Sequence, residues 1–407
     1  MPPSATALPL AFRRVGWSNL FAQFSEQIAL AAAPLAAVLL LAAGPAETGW
    51  LQTAQTLPFL LLAIPVGLAV DRASRRMLMI GSEALRALSL GITVILLAAQ
   101  AMTLPALALL GFAGAIGTVC YSIAAPALVP SLVPRDRLGA ANRVLELARS
   151  AAYAGGPALG GAIVGWTGAP VAYVLATILS ILAALLLAGL PQERPREASP
   201  RDLLADLRDG MRFIARHDLL RPILVTAIFF NTAWFVLQAV YAAYAVQSLG
   251  LGAAEVGLTL GIYGIGMIAG AWAAPAFGRR LPLGAVIVLG PLSGFVASCV
   301  MLLTLRVPSI HLVGLSFFLF GAGPMLWSIT TMTVRQAVTP AGMLGRVSAL
   351  IVTATFGARP IGAAIGALTA ARFGVGACLF VAAGGFLIQL LVILASQVPK
   401  LRELPAA

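Results

Sequence analysis

Four polar side chains in an otherwise apolar stretch, Asn19, Gln23, Glu26 and Gln27, stand where chemistry would be costly and therefore informative. They fall at i, i+4, i+7 and i+8, so a helix carries them as one polar stripe that should line water and not lipid. A carboxylate held out of bulk water, as Glu26 would be, can take up a proton near neutral pH from one side of a barrier and release it on the other. The other reading is a neutral, hydrogen-bonded glutamate that fixes helix packing.

Arg359, in the stretch ARPIGAA, is a second charge inside an apolar run. An arginine at mid-helix in a membrane costs at least ~2.5–3.5 kcal/mol, so its guanidinium is expected against a polar cavity or a carboxylate. That leaves open a substrate or coupling role, a structural counter-ion, or a side chain that reaches the outer interface. Asn231, Trp234, Gln238 and Tyr241 recur at i, i+3, i+7 and i+10, one face whose amide and aromatic groups suit a large amphipathic solute or ordinary packing. Glu83 with Arg86, and Glu146 with Arg143 and Arg149, have the spacing of helical ion pairs. They read as networks near helix ends, with a substrate contact as the second possibility.

The elements that must position these groups are membrane helices. Of the 407 residues 60% are hydrophobic and 10% charged, and the mean hydropathy is +0.97; a soluble domain has about 45–50% apolar residues. A hydrocarbon layer about 30 Å thick needs about 20 apolar residues per helix. Twelve such runs are placed at 17–42, 48–70, 77–100, 103–130, 139–165, 168–190, 220–247, 254–277, 283–305, 309–335, 343–370 and 373–396.

Loops carrying Arg13 and Arg14, Arg72, Arg75 and Arg76, Arg135 and Arg137, Arg279 and Arg280, Arg335 and Arg346, and Lys400 and Arg402 alternate with loops poor in positive charge. The positive-inside rule places the first set, and both termini, in the cytoplasm. The chain therefore divides into a half at 1–190, a cytoplasmic linker at 191–218 and a second half at 219–407. In the linker Ser199, Pro200 and Asp202 read as a helix start, and Leu203, Leu207, Met211 and Ile214 as the apolar face of a surface helix. The stretch before the first run lacks the basic start of a signal peptide, and no cleavage is expected.

The net charge of +12 is the sum of those loop arginines and does not mark a nucleic-acid partner. Lys400 is the single lysine, so a phosphate-loop ATPase is excluded and a gradient must supply any transport energy. His217 and His311 cannot form a metalloprotease motif, no GxSxG occurs, and Cys120, Cys299 and Cys378 lack zinc-ligand spacing and read as packing residues. No enzyme, cofactor or metal site is expected.

Several residues repeat at one offset: Gly67 and Gly270, Gly81 and Gly284, Arg143 and Arg346, Val144 and Val347, and Pro157 and Pro360 each lie 203 positions apart. Half the chain is about that long, which reads as a duplicated six-span unit. GLAVDRASRR supplies Gly67, Asp71, Arg72, Arg75 and Arg76; its counterpart GAWAAPAFGRR has Ala274 in place of the aspartate. The pattern resembles the loop between spans two and three of the major facilitator superfamily, although Ala73 and Ser74 replace that motif's second glycine region. GGPALGG is similar, at Gly156, Pro157, Gly160 and Gly161, to the span-five signature of the superfamily's exporters. LVPRDRLGAANRVLELARS and SEALRA resemble the branch with macrolide-efflux proteins and the enterobactin exporter.

The resemblance implies an all-α membrane protein of twelve transmembrane helices in two pseudo-symmetric six-helix halves. It implies that Asp71 meets the N-terminus of span eleven and latches the cytoplasmic side. A carboxylate beside helix N-terminal amides gains ~0.3–1 kcal/mol when exposed, enough to bias a gate without locking it. One copy suffices, so Ala274 need not impair it. Small residues and proline in GGPALGG suit a bent helix at a moving interface.

The resemblance also sets spans one, four, seven and ten around a central cavity, which Gln23, Gln27, Asn231, Trp234, Gln238, Tyr241 and Arg359 would line, with Glu26 as the proton-coupling group. The expected function is proton-coupled export of amphiphilic drug-like or siderophore-like small molecules by alternating access, by a monomer in contact with lipid of a bacterial-type inner membrane. A lipid or metabolite transporter, or a membrane sensor that moves no solute, are the other readings.

Overall fold

The computed structural model describes residues 9–134, 137–191, 203–340 and 343–404. The described residues form helices joined by short loops: α1 (Leu10–Leu40), α2 (Pro45–Arg72), α3 (Arg75–Ala98), α4 (Leu104–Leu132), α5 (Leu138–Thr167), α6 (Ala169–Ala188), α7 (Leu203–Arg216), α8 (Leu220–Ala243), α9 (Ala253–Arg280), α10 (Leu283–Leu303), α11 (Ile310–Val338) and α12 (Leu344–Leu394). Nine of them are long and apolar enough to cross a membrane, and α2 and α5, of 28 and 30 residues, also have the length. Helix α12 has two arms, because Gly374 sits at φ 79° and ψ 174°, a conformation that glycine alone adopts without strain. The arms correspond to the last two expected spans. Helix α1 starts at Leu10 and not at 17, since its first turn carries Arg13 and Arg14 and so scores as polar.

The helix starts are written in local chemistry. Ser74 accepts from the Met77 amide at the head of α3, and Thr103 accepts from the Ala106 amide at the head of α4, where Pro105 fits the first turn. The Glu47 carboxylate reaches back to the Gly44 amide before α2. Glu255 does the same to Gly252 before α9, at 2.8 Å. A carboxylate in the first turn also meets the positive end of the helix dipole. Gly168, at φ 91°, turns the chain between α5 and α6.

The chain forms two compact units. Unit 1 comprises 1–42, 54–199 and 252–258; unit 2 comprises 43–53, 200–251 and 259–407. The units thus differ from a simple cut at the linker by two short segments. Gly49 explains one: its Cα lies against Ala367 of α12, and a Cβ there would meet that backbone at 2.7 Å. Gly257 explains the other, lying against Gly161 of α5.

In unit 1, α1 packs on α5 and α6, and α3 on α4 and α6. Ser18 Oγ donates to the Ala183 carbonyl at 3.0 Å and Ser25 Oγ to that of Ala176 at 2.7 Å, which satisfies buried hydroxyls and fixes α1 on α6. In unit 2, α8 packs on α12, and α10 on α11 and α12. Large apolar side chains such as Leu88, Ile95, Leu109, Leu185 and Phe380 point outward, as a lipid-facing surface requires. Trp17 and Trp272 lie exposed near the arginine-bearing ends of α1 and α9, and Trp50 and Trp166 near the opposite ends of their helices, α2 and α5.

The expected helix start at Ser199, Pro200 and Asp202 lies outside the described residues, as do the side chains of Leu203 and Leu207. Helix α7 is present; Ile214 is buried with Leu220 and Val347, while Met211 is exposed. The cysteines are free thiols, and Cys299 is exposed on α10, so the packing role expected of it does not hold.

Candidate functional site

The polar stripe of α1 forms and divides into two pairs. Asn19 is buried and its Nδ2 donates to the Leu145 carbonyl of α5 at 3.3 Å. Gln27 is buried too, with its Cβ against Gly156. These two belong to the α1–α5 contact, whereas Gln23 and Glu26 are half-buried.

The GGPALGG stretch presents two glycine faces. A Cβ on Gly156 would meet Gln27 at 2.5 Å, and one on Gly160 the Ile28 carbonyl oxygen at 3.1 Å, so that face lets α1 approach. One turn of helix further on, a Cβ at Gly161 would stand 2.4 Å from the Cα of Gly257, and one at Gly165 3.1 Å from the Ala254 amide. That face admits the start of α9. Pro157 lies between them and is buried. In unit 2 the same device recurs on α12, where a Cβ at Gly362 would meet the Thr232 carbonyl oxygen of α8 at 2.2 Å and one at Gly366 the Val236 oxygen at 2.9 Å.

On α8, Asn231 and Gln238 are half-buried, and Asn231 Nδ2 donates to the Ala227 carbonyl of its own helix at 2.9 Å. Trp234 is 7% exposed and packs among Phe230, Tyr263, Phe317 and Phe320, with ring centroids 5.0–6.4 Å apart. Tyr241 is 1% exposed, hydrogen-bonded to the Thr259 hydroxyl, with its ring edge-on to Phe317 at 4.7 Å. Their surroundings are those of packing aromatic groups, and the Tyr241 hydroxyl has a partner. Arg359 is half-buried, its guanidinium 3.9 Å from the centre of the Phe356 ring and 5.4 Å from that of Phe235, a cation–π arrangement that offsets part of the cost of holding the charge there.

At the loop between α2 and α3, Gly67 has open space where a Cβ would stand, and the side chains of Asp71 and Arg72 lie outside the described residues. Arg75 Nη1 donates to the Ala127 carbonyl of α4 at 2.8 Å. Arg76 donates to the Leu187 and Ala188 carbonyls at 3.2 and 2.6 Å, and Arg14 to the Gly189 carbonyl. Two arginines thus close the C-terminal end of α6, where carbonyls lack helical partners and the dipole is negative.

The structure separates the two expected ion pairs. Arg149 and Glu146 pair at 2.7 Å but are 47% and 49% exposed. Arg86 and Glu83, also at 2.7 Å, are 4% and 0% exposed, inside unit 1 and not near its surface. Glu83 accepts a second bond from Ser180 Oγ at 2.7 Å, and Arg86 donates to Thr118 Oγ1 at 2.9 Å and to the Ala22 carbonyl at 3.3 Å. Ser180 and Thr118 are partners that spacing along one helix could not disclose, since they come from α6 and α4. Among the described residues no cluster of His, Cys, Asp and Glu could hold a metal ion.

Long helices with apolar exteriors define a multi-pass membrane protein. The pattern of the Major Facilitator Superfamily matches residues 15–363, and the chain belongs to that superfamily. It is 26% identical over 368 residues to the multidrug efflux pump Tap of Mycolicibacterium fortuitum, covering 87% of each chain. It is 26% identical to an uncharacterized MFS-type transporter, y4rN, of Sinorhizobium fredii over 79% of each, and 28% identical to the enterobactin exporter EntS of Citrobacter koseri over 63% of this chain and 59% of that one. A bacterial homologue of the iron transporter ferroportin has the same fold, with a TM-score of 0.73 at 19% identity over 96% of this chain and 99% of that one. A POT family transporter does too, with 0.77 at 13% over 97% of each.

Proposed function

We propose that the protein is a secondary active exporter that exchanges protons for amphiphilic drug-like or siderophore-like small molecules by alternating access. The observation that carries the reading is Glu26, a half-buried carboxylate mid-way along α1 beside the half-buried Gln23. An ionisable group at that depth is functional by default. Export and solute class are supported by the relatives, a multidrug efflux pump and an enterobactin exporter among them.

On this reading Gln23, Asn231, Gln238 and Arg359 shape the solute site, while the buried Gln27, Trp234 and Tyr241 support it by packing behind those residues. Asp71 and Arg72 latch the cytoplasmic side while Arg75 and Arg76 hold their loop to α4 and α6. Both termini lie in the cytoplasm of a bacterial-type cell, and the monomer works in its inner membrane.

The test is uptake of ethidium, rhodamine 6G and Nile red into inverted vesicles under an imposed proton gradient. We expect uptake that collapses with an uncoupler and falls at least tenfold in Glu26→Gln. Uptake unchanged by Glu26→Gln would move coupling to another group, and no uptake of any probe under a verified gradient would overturn the drug-like reading.

A further inference from the structure

The face of α1 beside the one that bears Glu26 is held by a series of polar contacts. Ser18, Ala22 and Ser25 lie at i, i+4 and i+7, a stripe distinct from that of Asn19, Gln23, Glu26 and Gln27. Ser18 and Ser25 bond to carbonyls of α6, and between them the Ala22 carbonyl accepts from Arg86 Nη1. In an α-helix the carbonyl of residue 22 is also the acceptor for the amide of residue 26. The guanidinium therefore acts on the backbone rung that carries Glu26.

Arg86 is itself fixed from three helices. Nη1 bonds to Glu83 of its own helix, Nη2 to Thr118 of α4, and Glu83 in turn is held by Ser180 of α6. The positive charge is balanced at 2.7 Å, and both side chains are sealed from solvent. A buried pair of this kind adds little stability over apolar packing of the same volume, because desolvation offsets the attraction. Its effect is to specify a position.

We propose that Glu83 and Arg86 form a charge-balanced clamp that positions the α1 turn bearing Glu26, so that Arg86 is a positioning residue for proton coupling. The inference rests on the coupling role of Glu26. A clamp of this design acts on the rate of the gradient-driven step and not on solute affinity, since neither side chain is exposed to solute.

The test compares the parent, Glu26→Gln, the apolar double variant Glu83→Leu with Arg86→Met, and Arg86→Lys, in the same vesicles with the probe the parent moves fastest. We expect the double variant to melt within about 4 °C of the parent, to keep KM within about twofold, and to lose roughly tenfold in maximal gradient-driven rate. Arg86→Lys retains the charge but not the forked geometry that reaches Glu83, Thr118 and Ala22 together, and should show the same loss of rate. It decides the matter if the double variant does not fold. A parent-like maximal rate in either folded variant, with Glu26→Gln inactive, overturns the clamp alone. Parent-like transport by Glu26→Gln moves coupling to another group and overturns the clamp with it, and no uptake of any probe by the parent under a verified gradient overturns the drug-like reading and the clamp that rests on it.

Discussion

A methyl group added at Gly161 would stand 2.4 Å from the Cα of Gly257 and 2.7 Å from the Ala253 carbonyl oxygen, both backbone atoms that cannot rotate away. Gly155, in the same motif, would meet only the edge of the Phe24 ring at 3.4 Å. Gly161→Ala should therefore destabilise by about 1–3 kcal/mol through overpacking, lower the melting temperature and slow transport, while Gly155→Ala stays close to the parent in both. Equal effects of the two substitutions would contradict the close approach of α5 and α9. The glycine motif was legible in the sequence, but not which glycine meets which helix, because that depends on partners far away in the chain. The same limit applies to Glu83–Arg86 and Glu146–Arg149. Both have the spacing of an ion pair, yet one is sealed in a core and the other lies half in solvent, and nothing within three residues distinguishes them.

Among elements, the junction of α7 and α8 depends on one imidazole. His217 Nδ1 accepts from the Leu219 and Leu220 amides at 3.2 and 3.4 Å, which closes the start of α8 only while that nitrogen is unprotonated. Burial pushes the imidazole below the ordinary value of 6.5, with the Asp218 carboxylate opposing. Arg212, Arg216 and Asp209 line the same cleft of about 350 Å³. A base whose affinity for protons is lower folded than unfolded contributes full stability above the unfolded value and loses it as pH falls from there through the lower folded value. Amide protection at Leu219 and Leu220 should drop as pH is lowered below about 6.5, and His217→Asn, which can accept without titrating, should abolish the pH dependence. Most elements could be read from hydropathy alone. The exceptions have physical causes: charged first turns hide the start of α1, and the linker helix is too short and polar to register as a span.

For the whole molecule, the duplication seen as residues 203 apart has its counterpart in repeated devices, the carboxylates of Glu47 and Glu255 at helix starts and the glycine faces of α5 and α12. Fold was legible because twelve apolar runs and a repeat constrain it heavily. The proposed solute residues were less so, since they come from separate helices and periodicity reports a face without saying what covers it; Trp234 and Tyr241 share a face with Gln238 but are far more buried. The tryptophans turn this arrangement into an optical ruler. Trp17, Trp50, Trp166 and Trp272 are 54%, 48%, 81% and 86% exposed, against 7% for Trp234. In vesicles whose lipids carry bromine high on the acyl chains, emission from the first four should be quenched more strongly than with bromine at the bilayer centre. Equal quenching at both depths would contradict their boundary positions. With those four and Trp327 of α11 replaced by phenylalanine, the remaining fluorescence comes from Trp234, so that events at the aromatic cluster of α8 could be followed by light alone.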